Sequence, residues 1–331
     1  MDENMSLDIS RSQQLTAVVA LTLLAFSNVS YAGAEARGVG NFYAKVAQAT
    51  TDADRGFDSS GDGAPLASDA FLDDFTSLFA SDGKYEETAY RVYLEYGISE
   101  RIDLLFSLEW KDIEESFEAD FPGIPASLGT RVQRDNSGLG DGMLGFKYQL
   151  KDTSFPIATD MRLTFPNYST SVSHLNLETI DSRDDKVPLG DGLYNLDFGL
   201  SASVYPMPWY FADARVAYVL SDLEHRDFSD DITWGLKAGR SSRSGFGGAI
   251  FADGSVSLSN GSAPNEITQD SITIDPTMRV TVLNDQEFAR VGLQAWYNFK
   301  GFSIEATLSE VIDGQNTTQD TSFEIALSYQ R

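Results

Sequence analysis

Short runs in which every second residue is apolar dominate the chain after residue 85. Residues 90–96 (YRVYLEY) and 102–110 (IDLLFSLEW) are two examples. Side chains of a β-strand point alternately to opposite faces, so each run has one apolar and one polar face. In a soluble sheet the apolar face packs into a core, whereas in an outer-membrane barrel it faces lipid and the polar face lines the lumen. The pattern therefore predicts an all-β protein of one of these two kinds.

The amino terminus has the layout of a secretory signal peptide. Residues 15–26 (LTAVVALTLLAF) form an apolar run that follows Arg11, and residues 30–32 (SYA) supply a small-x-small pattern before a cleavage site. The run is too short to span a bilayer as a helix. We expect residues 1–32 to be a signal peptide cleaved after Ala32, with cleavage after Ala34 as the alternative.

Composition excludes several classes of function. The formal net charge is −26 and there is no cysteine. Because phosphate binding needs a basic surface, nucleic acid is not expected as a partner. The lack of cysteine removes disulfides, thiol catalysis and thiolate metal sites. No segment beyond the signal peptide approaches the ~20 apolar residues of a membrane helix.

The strand pattern recurs often enough to build a barrel from residues 33–331. A bacterial barrel with both ends of the chain in the periplasm needs an even number of strands. We predict a transmembrane antiparallel up-and-down β-barrel of twelve strands, with fourteen as the alternative, because the pattern is irregular over 245–283. The thirteen segments with strand character are 41–49, 88–97, 101–110, 140–150, 156–166, 193–205, 209–220, 231–240, 245–258, 271–283, 287–299, 301–311 and 321–329.

The connections favour an outer-membrane barrel over a soluble sandwich. Short connections at 97–100 and 205–208 alternate with long acidic ones at 50–87, 111–139 and 167–192. Short periplasmic turns and long extracellular loops are typical of bacterial outer-membrane barrels. Aromatic residues near strand ends are expected to form the interfacial girdles: Tyr96, Trp110, Phe165, Tyr205, Trp209 and Trp234.

The polar faces of the predicted strands carry charges of both signs. In a twelve-strand barrel these side chains would meet across a narrow lumen. They either pair and fill the barrel or form a polar path for a solute. The candidate lumen residues are Arg91, Glu95, Asp103, Glu109, Asp141, Lys147, Asp160, Arg162, Asp197, Asp213, Arg215, Lys237, Arg279, Arg290, Glu305 and Glu324.

A four-residue segment, LGDG, occurs at 139–142 and again at 189–192. Each copy is expected to open a strand after a long loop, with Asp141 and Asp191 facing the lumen. The glycines let the chain turn sharply and leave room beside a carboxylate. The repeat is either a device that starts a strand or a pair of carboxylates at the mouth of a pore.

Three segments carry a resemblance to a known family. Residues 137–150 (SGLGDGMLGFKYQL), 95–110 (EYGISERIDLLFSLEW) and 190–205 (GDGLYNLDFGLSASVY) resemble the outer-membrane transporter family named for the meta-cleavage pathway of phenol degradation. The resemblance implies an outer-membrane barrel that admits hydrophobic or aromatic small molecules. Chains of that family usually end on an aromatic residue, whereas this one ends in Tyr329-Gln330-Arg331.

The first long loop contains a weak calcium-loop pattern. Asp58, Asp62 and Asp69 occupy positions one, five and twelve, as in an EF-hand. The alternative is a solvated acidic loop without a metal. Residues 68–79 are expected to form a short helix with an apolar face, either closing the barrel mouth or packing on its rim.

The sequence gives little support to catalysis, and an outer-membrane hydrolase is the least favoured of three hypotheses. The two histidines, His174 and His225, fall in predicted loops without a suitably placed nucleophile. We therefore predict a non-enzymatic outer-membrane channel that conducts small, hydrophobic or aromatic solutes passively. Outer-membrane lipid and the barrel assembly machinery are its expected partners. The alternative is a closed structural or adhesive barrel whose acidic loops bind ions or other partners.

Overall fold

The computed structural model describes most of the chain from Gly33 to Arg331. The described residues are 33–57, 63–66, 80–119, 130–151, 155–168, 189, 193–221, 223, 230–258, 287–315 and 317–331. The strands are β1 (Phe42–Phe57), β2 (Gly63–Pro65), β3 (Ala80–Gly97), β4 (Ile102–Ala119), β5 (Thr130–Lys151), β6 (Ile157–Pro166), β7 (Asn195–Val204), β8 (Tyr210–Leu220), β9 (Asp231–Ser241), β10 (Phe246–Ser257), β11 (Glu287–Phe299), β12 (Phe302–Gln315) and β13 (Thr317–Gln330).

The strands form one closed antiparallel barrel. Each long strand pairs with its neighbours in sequence, and β13 pairs back onto β1, with Tyr43 opposite Gln330 and Phe57 opposite Thr317. The three residues of β2 pair only with the end of β1 and do not span the barrel. The wall therefore has twelve strands, which confirms the predicted number and excludes fourteen.

The predicted segment 271–283 lies outside the described residues, and the barrel closes without it. Among the described residues, no helix is long and apolar enough to cross a membrane.

The outer face of the barrel is apolar. Each of the twelve wall strands has one or more large apolar side chains exposed on this face. Examples are Leu236 (56 % exposed), Ile250 (63 %) and Leu293 (59 %). A continuous apolar surface of this extent is not compatible with water. It is the surface that a transmembrane barrel presents to lipid acyl chains. The predicted orientation of the strands is thus confirmed.

The strands on one side of the barrel are longer than predicted. The segments 50–87 and 111–139 were expected to be loops, but β1, β3, β4 and β5 continue into them, and β5 alone has 22 residues. A membrane-spanning strand needs only about 9–11 residues. These four strands therefore project beyond the apolar band on the side of the long connections.

One aromatic residue of the predicted girdles faces inward. Tyr96, Trp110 and Trp209 are exposed on the outside of the barrel. Tyr205, in contrast, lines the lumen, because it lies in the turn after β7 rather than within a strand. That expectation was therefore wrong for Tyr205.

The assignment of the two faces can be tested on adjacent residues of β12. Leu308 is 50 % exposed on the lipid face, whereas Thr307 lines the lumen opposite Glu324. We expect Leu308→Arg to destabilise the barrel by about 2–4 kcal/mol, since it places a cation in the middle of the bilayer. Thr307→Arg should fold normally. Heat-modifiable migration on gels and urea unfolding in lipid vesicles measure the stability of both variants. An equal loss of stability in the two variants would contradict the assignment of Leu308 to the lipid face and Thr307 to the lumen.

Candidate functional site: the barrel lumen

The lumen encloses a cavity of about 1570 Å³ that reaches both ends of the barrel. Glu87 and Lys111 line it towards the long connections, and Asn298, Ser303 and Ser328 line it near the short turns. Among the described residues, eight basic and nine acidic side chains face the cavity. The lumen is thus close to charge balance although the whole chain is strongly acidic.

A buried ionic cluster lies at the periplasmic end of strands β3, β4 and β5. Lys147 Nζ lies 3.1 Å from Asp103 Oδ2 and 3.4 Å from Glu95 Oε2, and the Tyr93 hydroxyl donates to Glu95 at 2.7 Å. The side chains of the three charged residues are at most 7 % exposed. A buried charge without its partner is costly, so these groups depend on one another. The cluster joins three of the predicted lumen residues, Glu95, Asp103 and Lys147.

Residues 33–41 cross the periplasmic end of the lumen and are anchored on this cluster. The Arg37 backbone N–H donates to both carboxylate oxygens of Asp103, and Arg37 Nε lies 2.5 Å from Glu95 Oε2. The Ala34 N–H donates to Ser203 Oγ on the opposite wall, at 2.9 Å. Two further bonds run from the Ala36 N–H to Gln149 Oε1 and from Lys147 Nζ to the Glu35 carbonyl, both at 2.9 Å. Wall side chains thereby satisfy backbone groups that would otherwise be unpaired.

Other lumen charges pair along the wall. Asp160 Oδ1 lies 2.7 Å from Arg162 Nε and 2.8 Å from Arg215 Nη2, and Asp197 lies 3.9 Å from the same guanidinium. Three more pairs line the other strands: Arg91 with Glu109 at 3.2 Å, Lys45 with Glu324 at 2.6 Å, and Arg290 with Asp253 at 2.5 Å. The charges pair, yet they leave an open cavity beside them.

A small apolar cluster narrows the extracellular end. Leu189 lies against Ile113 inside the barrel, with Tyr85 and Tyr168 packed on them. The Tyr168 hydroxyl donates to Asp141 Oδ1 at 3.0 Å. Asp141 therefore lies behind Tyr168, and in the described part of the chain it is not one of the side chains that line the cavity.

The two LGDG segments meet in this region. A Cβ at Gly140 would lie 3.3 Å from the Leu189 carbonyl oxygen, so the first copy touches the start of the second. The expectation that the first copy opens a strand was wrong, because 139–142 lies well inside β5, which begins at Thr130. The second copy precedes β7, which begins at Asn195, and its residues 190–192, Asp191 among them, lie outside the described residues.

Other predicted features also lie outside the described residues. They are the signal peptide at 1–32, the calcium-loop residues Asp58, Asp62 and Asp69, the helix at 68–79, Arg279, and the histidines His174 and His225. Within the described ranges, the histidine and acidic side chains form no group of three or more that could hold a metal ion.

Several lumen features were not predicted from the sequence. The strap of residues 33–41 carries no pattern that places it inside the barrel. Leu189 was assigned to a strand start rather than to the lumen. Phe211, Phe251 and Trp296 also line the cavity. They occupy positions of their strands that otherwise carry polar, lumen-facing side chains. This break in the alternation of apolar and polar residues is the sequence feature from which they could have been predicted.

These features together define the protein as an outer-membrane β-barrel with a charged, partly constricted lumen. The COG4313 outer membrane channel from Pseudomonas putida F1 has the same fold, with a TM-score of 0.58 and 16 % identity over 92 % of this chain and 100 % of that one. The KdgM porin (TM-score 0.42, 7 % identity, 86 % of this chain and 98 % of that one) is a more distant likeness. So is a deletion mutant of the TodX monoaromatic hydrocarbon channel (TM-score 0.40, 12 % identity, 88 % and 90 %). No protein-family model and no curated protein sequence matches this chain.

Neutralising a carboxylate inside the buried cluster should lower the stability of the barrel more than neutralising a partly exposed carboxylate of the lumen. Asp103 is fully buried, whereas Asp253 and its partner Arg290 are 27 % and 37 % exposed. We expect Asp103→Asn to lower the free energy of unfolding by about 3–5 kcal/mol, since it leaves Lys147 and the strap underpaired. Asp253→Asn, the matched control, should cost at most about 1 kcal/mol. Urea unfolding in vesicles measures both, and equal costs would contradict a buried cluster.

Proposed function

We propose that this protein is an outer-membrane channel through which small solutes diffuse passively. The observation that carries the proposal is the cavity of about 1570 Å³, which runs inside a lipid-facing barrel from the extracellular ends of the strands to the periplasmic ones. The solved channel that shares the fold supports this role. The proposal assigns no catalytic step to the lumen.

The constrictions favour small solutes. The Leu189 cluster narrows the cavity at one end, and the strap of residues 33–41 crosses it at the other. Side chains that line the remaining space are both charged and aromatic, including Phe211 and Trp296. We propose small hydrophobic or aromatic compounds as the solutes, in line with the family resemblance of residues 85–331.

A closed barrel that acts through its loops is the second candidate. The dense ion pairing of the lumen and the strong acidity of the chain outside it favour this alternative. Its acidic loops would bind ions or other partners, calcium among them. The two candidates differ in one measurable property, because only the first requires the barrel to conduct.

Conductance through the lumen can be tested with a neighbouring pair of β9 residues. Gly235 lines the cavity, and a Cβ there would have only the Asp253 Cβ nearby, at 3.8 Å, whereas Leu236 faces lipid. We expect the refolded protein to conduct ions in planar bilayers. Gly235→Trp should lower the single-channel conductance severalfold because it narrows the path. Leu236→Trp adds similar bulk outside and should leave the conductance unchanged.

Two outcomes would contradict the channel proposal. Absence of conductance in the unaltered protein would favour the closed barrel. Equal conductance in both tryptophan variants would mean that ions do not pass through this lumen.

We also propose that the signal peptide is removed after Ala32 and that the barrel assembly machinery inserts the remainder into outer-membrane lipid. Cleavage at this position keeps Ala34, which is 1 % exposed and bonded to Ser203, as part of the strap. The mass of the protein purified from outer membranes should then correspond to a chain that begins at Gly33. A chain that begins at Glu35 would lack the bond to Ser203 and would contradict the proposed site.

A further inference from the structure

Three aromatic rings line the lumen wall of strands β8 to β11, and two of them, Phe211 and Trp296, are inclined to one another by 49°. Each ring lies against a lumen-facing glycine of a neighbouring strand, where a Cβ would overlap the ring. Each ring therefore covers the backbone of a neighbouring strand and contributes to the lining of the cavity. The pairs are Phe211 over Gly239, Phe251 over Gly292, and Trp296 over Gly247.

Lys237 lies among these rings. Its Nζ is 6.0 Å from the ring centroids of both Phe211 and Trp296, and these two rings are themselves 6.0 Å apart. Phe251 is the cross-strand neighbour of Lys237 on β10. At these distances the rings hold the ammonium weakly by cation–π attraction. A cation and three aromatic rings thus share one section of the wall.

Within the part of the chain that the structure describes, Lys237 differs from the other cations of the lumen because no carboxylate lies within 4.0 Å of its ammonium. Among the described residues, seven of the eight basic side chains that line the cavity lie within 4.0 Å of a carboxylate, and Lys237 does not. Asp213 stands opposite Lys237 in the strand register, but its carboxylate lies beside Ser203 and the backbone of Gly33. Asp213 and Glu305 attract the ammonium of Lys237 only from beyond 4.0 Å, so an anion in the cavity can approach it directly.

The ligand that fits this arrangement combines a negative charge with a planar ring. A carboxylate would form a charge-assisted hydrogen bond with Lys237 Nζ. An aromatic ring attached to it would stack on Trp296 or Phe211 in an offset or edge-to-face geometry. A simple anion would leave the rings unused, and a neutral arene would leave the ammonium unpaired. A few placed polar groups within an apolar surround are typical of small-molecule sites.

We propose that Lys237, Phe211 and Trp296 form a binding site for small aromatic carboxylates within the lumen. The site rests on the proposed function, since a ligand reaches it only if the lumen admits solutes. It lies near the periplasmic ends of β8 and β11, next to the strap, so a solute that enters from outside meets it late in its path. The site thereby gives the channel a preference for aromatic anions.

The test measures the block of ion current by benzoate in planar bilayers, together with calorimetry of benzoate binding to the refolded protein. Benzoate should bind more tightly than benzamide, which lacks the charge, and than cyclohexanecarboxylate, which lacks the planar ring. Lys237→Gln should weaken benzoate binding by about tenfold or more, because a hydrogen bond between charged groups is lost. Trp296→Leu should remove the preference for benzoate over cyclohexanecarboxylate.

Lys111→Gln is the matched control, because Lys111 also faces the lumen but is paired with Glu87 and Glu109. Lys111→Gln removes one positive charge, as Lys237→Gln does, and should leave the affinity for benzoate unchanged. Equal binding in the unaltered protein and Lys237→Gln would overturn the site, as would acetate binding as tight as that of benzoate. The current without ligand tests the channel separately: a conducting barrel that does not bind benzoate contradicts this site alone.

Discussion

The pairing of β13 with β1 is the constraint on which the rest of the structure depends. A strand edge in lipid would leave its backbone N–H and C=O groups without partners, and hydrocarbon offers none. The register from Tyr43–Gln330 to Phe57–Thr317 removes both edges and closes the wall. Once the wall is closed, each strand has one face for lipid and one for the lumen. All further features, from the apolar band to the ionic clusters, follow from this division.

Closure makes the lumen the place where charged side chains of the membrane-spanning segments can lie. Oppositely charged residues on neighbouring strands then meet, as Asp103 and Lys147 do at 3.1 Å. The same wall offers acceptors to residues 33–41, whose N–H groups bond to Ser203, Gln149 and Asp103. Paired charges and the strap reinforce one another, because each satisfies groups that the other would leave unpaired.

The length of the strands shows where prediction from the sequence ends. Inside the apolar band the alternation identifies strands well, since only one face meets lipid. Beyond the band the outer face meets water instead of lipid, and residues such as 111–116 (KDIEES) lose the period of two. The backbone pairing of β4 with β5 nevertheless continues to Ala119 and Thr130. Backbone hydrogen bonds between the strands stabilise these extensions. Such bonds do not require a particular side-chain polarity, so the sequence pattern does not reveal them.

The sequence by itself determined the class of fold and the face on which Arg91, Glu95, Lys147, Asp160 and Arg215 lie, and it limited the number of strands to twelve or fourteen. Side-chain direction along a strand is a local property with a period of two, so it can be read directly. Closure of the wall fixed the number of strands at twelve. The tertiary structure also decided which of these charges meet, that no carboxylate of the described residues lies within 4.0 Å of Lys237, and that residues 33–41 lie in the lumen. Such contacts depend on the stagger between strands that barrel closure fixes, and no single segment encodes it.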